Sequence, residues 1–188
     1  MNSLDSLREI YSYDPQTRTF TIPVRLGYFS DFFNPLDPSP APARDLSPDL
    51  VGYLNQCSDE IGGRYLLAIS MQIRHDMRDQ HNEQECLDSL RSFYQHEMFI
   101  TRSVIQRKHM LALRYLLFSM LCLSAFAFSQ SFDISSFVWG LLQEAVLIGG
   151  WVFMWEAVTV NIIEMDAHQQ ELKRFKRLIR ARVDFRYG

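Results

Sequence analysis

Met110 to Phe128 reads MLALRYLLFSMLCLSAFAF, and Phe137 to Ile163 reads FVWGLLQEAVLIGGWVFMWEAVTVNII. These two stretches decide the fold. The first holds one charge, Arg114, and at 1.5 Å per residue it reaches ~28 Å, close to the ~30 Å hydrocarbon core of a bilayer. The second holds two charges, Glu144 and Glu156. A pair of buried helices in a soluble bundle is the competing reading, but such helices carry a polar stripe. From Tyr115 to Phe128 only Ser119, Cys122 and Ser124 interrupt the apolar run. The reading is a transmembrane hairpin with spans 110–128 and 137–163. Its place late in the chain excludes a cleaved signal peptide.

The basic residues orient the hairpin. Arg102, Arg107, Lys108 and Arg114 flank the first span, and Lys173, Arg174, Lys176, Arg177, Arg180, Arg182 and Arg186 follow the second. The link between the spans, SQSFDISS, has no Lys or Arg. The positive-inside rule then puts both termini in the cytoplasm and the link outside.

Working outward, residues 1–109 read as a small cytoplasmic α/β domain with two or three strands and two helices. Asp14-Pro15-Gln16-Thr17 is a turn between two β-rich runs, the second of which, Thr19 to Leu26, alternates apolar and polar residues. Pro23 marks that strand as an edge or bulged one. Pro35, Pro38, Pro40 and Pro42 make the stretch 34–48 a stiff, extended connector or an ordered loop over the domain. Ser47-Pro48-Asp49 opens a helix that should end at Ile61, before Gly62-Gly63. Arg64 to Ile73 reads as a central strand covered on both faces. From Glu83 a helical stripe begins, and no Gly or Pro breaks it before Gly140. One helix from about Glu83 to about Phe128 should therefore leave the domain and become the first span. A sheet this small is marginal alone, so a second copy or a partner is expected to complete it.

After the hairpin, residues 164–188 form a basic tail. Within it ELKRFKRLIRARVDFR, Glu171 to Arg186, reads as a basic amphipathic helix. Lys173, Arg174, Lys176, Arg177, Arg180 and Arg182 would meet anionic headgroups. Packing against the cytoplasmic domain is the rival. The fold class is thus an α+β membrane protein: a small α/β domain, a two-helix hairpin and a basic C-terminal helix.

Composition narrows the function. A chain of 188 residues with 47% hydrophobic and 22% charged residues is neither disordered nor collagen-like. Its net charge of -3 gives no pull toward nucleic acid. Cys57, Cys86 and Cys122 are too few and too scattered for a disulfide framework. His75, Asp76 and His81, with Glu83 and Glu85 after them, match no zinc spacing and read as a solvated loop. No phosphate-binding glycine loop, nucleophile elbow or other catalytic constellation occurs, so no catalytic, metal or cofactor site is assigned.

The polar groups of the spans are the remaining candidates. Arg114 and Glu156 come to similar depths near the cytoplasmic interface when the hairpin folds about Asp133, where they read as a salt bridge or as snorkelling to the headgroups. Glu144 lies ~16 Å from the turn, too deep for easy escape. It reads as a proton or cation site, a subunit contact, or a structural hydrogen-bond partner of Gln143 and Ser124. Gly149 and Gly150 allow close helix approach, within the hairpin or between subunits. Trp139 and Trp155 lie near the expected boundaries, and Trp151 beside the glycines.

The segments Asn34–Asp49 (NPLDPSP through RDLSPD) and Glu144–Trp155 (EAVLIGGWVFMW) resemble an uncharacterised family of small bacterial two-span inner-membrane proteins. The likeness covers most of the chain from Asn34 on. It departs at Glu156-Ala157, where the family has Arg-Pro. The resemblance implies the two-span topology and an inner-membrane location, and no activity. Three functions follow as expectations. One is a non-enzymatic membrane scaffold whose domain binds its own copies or a partner. Another is an oligomeric pore gated by the domain. The last is an enzyme with a site at the membrane interface.

Overall fold

The computed structural model describes residues 3–40, 43–74, 79–132, 134 and 136–188. The chain divides into two compact units, residues 1–100 with 171–188, and residues 101–170. The first unit is mixed α and β. Its elements are helix α1 (Ser3–Ile10), strands β1 (Ser12–Asp14) and β2 (Thr19–Arg25), helix α2 (Pro48–Ile61) and strand β3 (Leu66–Ile73). To these are added the first part of helix α3 (Gln80–Ser129), the end of helix α5 (Met165–Ile179) and strand β4 (Arg182–Tyr187).

The four strands lie in the order β1-β2-β3-β4. β1 pairs antiparallel with β2, and β2, β3 and β4 run parallel. Parallel neighbours need crossovers, and right-handed crossovers that step the same way across a sheet put their helices on one face. The burial follows from this. Phe20, Ile22 and Val24 stand in register with Leu67, Ile69 and Met71, and Ile69 and Met71 with Val183 and Phe185. These residues pack with Leu50, Leu54, Cys57 and Ile61 of α2, with Cys86, Leu90 and Tyr94 of α3, and with Phe175 and Leu178 of α5.

Two expectations are corrected here. The sheet has four strands, because the tail supplies one. The tail is not helical to Arg186: its helix stops at Ile179, and Arg182–Tyr187 forms β4. Val183, Phe185 and Tyr187 alternate with Arg182, Asp184 and Arg186, which suits a strand with one face on a core. β3 is central as expected, and Leu67 to Met71 are buried on both of its faces, Ile69 on the helix side and Ala68 and Ser70 on the other; the outer face opens only toward its ends, at Leu66, which is 64% exposed, and at Gln72.

Local chemistry explains the boundaries. Asp14 closes the β1–β2 turn by accepting bonds from the Gln16 amide (2.9 Å) and the Thr17 hydroxyl (2.7 Å). Those bonds hold the Asp14 carboxyl below its usual range. α2 spans the predicted residues, with Pro48 in its first turn and Gly62 at φ +74° ending it. The Ser47 hydroxyl makes no capping bond; the Ser47 carbonyl instead accepts the Val51 amide at 3.0 Å. The described part of the proline-rich stretch, which leaves out Ala41 and Pro42, is a loop pinned at its base. Phe33 bridges Leu46, the Asn34 amide donates to the Asp45 carbonyl, and Phe32, Phe33 and Leu46 are buried. α1 is an element that sequence reading missed; its Leu7 packs on the core.

The second unit is an antiparallel pair, α3 against α4 (Phe137–Thr159), followed by a π-helical turn over Val160–Glu164 and the start of α5. Small residues line the seam. Ala112 and Ser119 of α3 and Gly150 and Ala157 of α4 are buried. A Cβ on Gly150 would stand 3.0 Å from Leu123 Cδ2 and 3.3 Å from Cys122 Cβ, so glycine is what allows this approach. Phe153 packs on Tyr115 and Phe118, with ring centroids 6.1 and 5.8 Å apart. The outward surfaces are mostly apolar: Leu121, Leu141, Ile148 and Trp155 are each at least 60% exposed. Both helices are long and apolar enough to cross a membrane.

Candidate functional site

Of the two readings of Arg114 and Glu156, the salt bridge does not form. Arg114 and Glu156 are both exposed, and among the described residues no ion pair joins them. Glu144 is exposed on the outer side of α4. Its neighbour Gln143 donates to the Ser129 hydroxyl at 2.9 Å, and that hydroxyl donates to the Phe126 carbonyl at 2.7 Å. The hydrogen bond expected between Glu144 and Gln143 or Ser124 is absent, because Gln143 sits on the seam and Glu144, one residue on, is turned about 100° away. The glycines separate in the same manner: Gly150 is in the helix contact, and Gly149 has nothing within 4 Å of a Cβ. Trp151 and Trp155 face outward, and the buried Trp139 Nε1 has no hydrogen-bond partner among the described residues.

The basic tail residues fall into two groups. Arg174 and Arg177 point into the α/β unit, which corrects their assignment to headgroups. Arg174 Nη1 meets Asp59 Oδ2 at 2.5 Å. Arg177 donates to the Ser58 carbonyl (2.9 Å), the Ser58 hydroxyl (3.2 Å) and the Tyr65 carbonyl (3.3 Å). It therefore ties the end of α5 to the last turn of α2, whose carbonyls need donors. Burial lowers the Arg177 guanidinium pKa, and Asp59 opposes that shift. The apolar side of this helix is equally committed, since Phe175 is 6% exposed and Leu178 fully buried. That face is closed to a bilayer.

Lys173, Lys176, Arg180 and Arg182 are exposed. Three of them, Lys176, Arg180 and Arg182, line an open trough of about 510 Å³ together with Arg64 and Arg177. The trough lies at the N-terminal ends of β2, β3 and β4, with Thr19, Thr21, Leu66 and Ala68 on its floor and Asp14 and Asp184 at its sides. Arg182 Nε contacts Asp184 Oδ1 at 2.9 Å. Sequence reading missed Arg64 and the threonines. They reach the tail's cations only through the β2–β3–β4 register, which is not a local signal.

The histidine cluster gives little. His75 and Asp76 lie outside the described residues. His81 meets Glu85 at 3.3 Å, Glu83 accepts a hydrogen bond from Tyr187, and no metal-holding group occurs among the described residues. Cys86, next along α3, is buried, and burial, aided by Glu85 and Glu83, pushes its thiol up to about 12. Cys57 is buried too. Thiol reagents at pH 7.5 should leave both unmodified in the native protein and modify both after denaturation, as read by peptide mass mapping. Fast native labelling of Cys86 would mean that α3 does not stay packed on the sheet.

Comparison with known protein families, with curated proteins and with solved structures finds no match for this chain.

Proposed function

We propose that this chain is a two-span inner-membrane protein with both termini in the cytoplasm, and that it acts as a non-enzymatic scaffold. The hairpin anchors it, and the α/β domain binds a partner or further copies of itself. The observation that carries the reading is the origin of the sheet. β3 precedes the apolar hairpin and β4 follows it, yet the two pair from Ala68–Arg182 to Ile73–Tyr187. Strands cannot pair across a bilayer, so a chain that inserts both helices must keep both flanks on one side. The excess of Lys and Arg on those flanks, against none in the link, selects the cytoplasmic side.

Single cysteines test the topology in whole cells. Ser131→Cys should react with a membrane-impermeant maleimide in intact cells, and Arg180→Cys only after the membrane is opened. Labelling of Arg180→Cys in intact cells would overturn the reading. The scaffold part is tested by native mass in mild detergent. Multiples of 22.1 kDa alone mean self-assembly, additional mass means a foreign subunit, and a bare monomer rejects the scaffold.

One observation favours a second reading, an oligomeric pore. Glu144 faces outward on α4 with apolar neighbours Leu141 and Ile148, and a lone carboxylate facing lipid is costly. A subunit contact or an aqueous path at Glu144 would remove that cost. Ion flux in liposomes that vanishes with Glu144→Leu supports the pore; liposomes that stay tight at every protein level reject it.

A further inference from the structure

We infer that the basic trough at the N-terminal ends of β2, β3 and β4 binds a phosphate-bearing ligand of about nucleotide size. The first argument is charge. Five cations line the trough against two carboxylates, in a chain whose formal net charge is -3. Such a local excess, set in an otherwise acidic protein, focuses potential on one spot.

The second argument is convergence. Arg64 comes from the turn after α2, Lys176 and Arg180 from the end of α5, and Arg182 from β4. Basic residues at a helix C-terminus offset its dipole, and that accounts for Lys176 and Arg180. It does not account for Arg64 or Arg182, which lie on other elements and face the same space. Arg64, Lys176 and Arg180 are exposed and form no ion pair among the described residues. Their donors stay available, while the part-buried bonds of Arg177 to Ser58 and Tyr65 fix the wall that carries them.

The third argument is the floor. Leu66 is a large apolar side chain left 64% exposed beside Ala68, with the threonines of β2 alongside. A ligand with an apolar or planar body and an anionic end matches that pairing of surfaces. At about 510 Å³ the trough falls within the range of small-molecule sites. Phosphate is the fitting anion because several guanidinium and ammonium groups can share its oxygens.

This inference rests on the α/β domain being the binding part of the anchored protein. Ligand binding and membrane sidedness are separate measurements, so either can fail alone. The full-length chain in neutral detergent is titrated calorimetrically with ATP, with inorganic pyrophosphate and with a short-chain phosphatidic acid. The same titrations are run on Lys176→Glu/Arg180→Glu, whose exposed side chains leave the fold intact, as checked by its melting curve. Binding of ATP or pyrophosphate that weakens at least tenfold in the variant supports the site and names a soluble phosphate as its source. Binding of the lipid alone, weakened equally, supports the site and names a headgroup. No binding in any arm, or binding that the charge reversal leaves unchanged, overturns the inference.

Discussion

Deleting Arg182–Gly188 should abolish the cooperative unfolding transition of the α/β domain. β4 is an edge strand, and it covers one side of β3 over six registered pairs, from Ala68–Arg182 to Ile73–Tyr187. Without it, β3 becomes the edge, and Ile69 and Met71 lose the flanking Val183 and Phe185. A three-stranded remnant whose first strand is Ser12–Asp14 has little left to hold it. A milder change isolates the helix that leads into β4. Leu178 is fully buried, so Leu178→Ala should cost about 2–5 kcal/mol, a large part of the 5–15 kcal/mol typical of a whole domain. Denaturant melts of the detergent-solubilised protein measure both. A truncated chain that keeps its midpoint would show that β4 is dispensable. The order of synthesis adds a consequence. β4 follows the hairpin in the chain, so the sheet cannot close until the hairpin between β3 and β4 has been produced.

Gly150→Leu should break the α3–α4 pair, while Gly149→Leu beside it should leave the pair intact. At Gly150 the obstacles are Leu123 Cδ2 at 3.0 Å, Leu123 Cγ at 3.1 Å and Cys122 Cβ at 3.3 Å. The first can rotate away, but Cys122 Cβ moves only with its helix. A single Cβ there already sits tighter than ordinary van der Waals contact, and the larger Leu side chain cannot be taken up without moving the helices apart. At Gly149 the space is open. The two variants add the same side chain to adjacent residues, so composition and helix propensity cancel between them. Thermal stability in detergent reads the difference. Equal melting of the two variants would show that the close approach at Gly150 contributes nothing.

The long elements were legible because their signals are local. The two apolar helices need only run length and a scarcity of charge, and α3 needs only an unbroken stripe without Gly or Pro from Glu83 on. α2 announced both ends, through Pro48 and Gly62. The tail was harder for a physical reason. Leu172, Phe175, Leu178 and Ile179 have helical spacing, and Val183, Phe185 and Tyr187 then have strand spacing, with no Gly or Pro between them to mark the change. A basic amphipathic face suits a lipid surface and a protein core equally well. Here the core takes it, because β3 offers a free edge and α2 offers carbonyls and Asp59 to the arginines.

By itself the sequence determined the two apolar helices, the polar link between them, the uneven spread of Lys and Arg, and the strand and helix that follow the proline-rich loop. Each of these depends on neighbours a few residues apart, where spacing and side-chain polarity act directly. Only the tertiary structure decided that the tail completes the sheet, that Gly150 rather than Gly149 meets α3, and that Arg64 joins Lys176, Arg180 and Arg182 around one trough. Those outcomes depend on contacts between residues a hundred or more positions apart in the chain, or on which way a helix is turned. Neither is set by local composition: both follow from the register of parallel strands and from the packing of one helix on another.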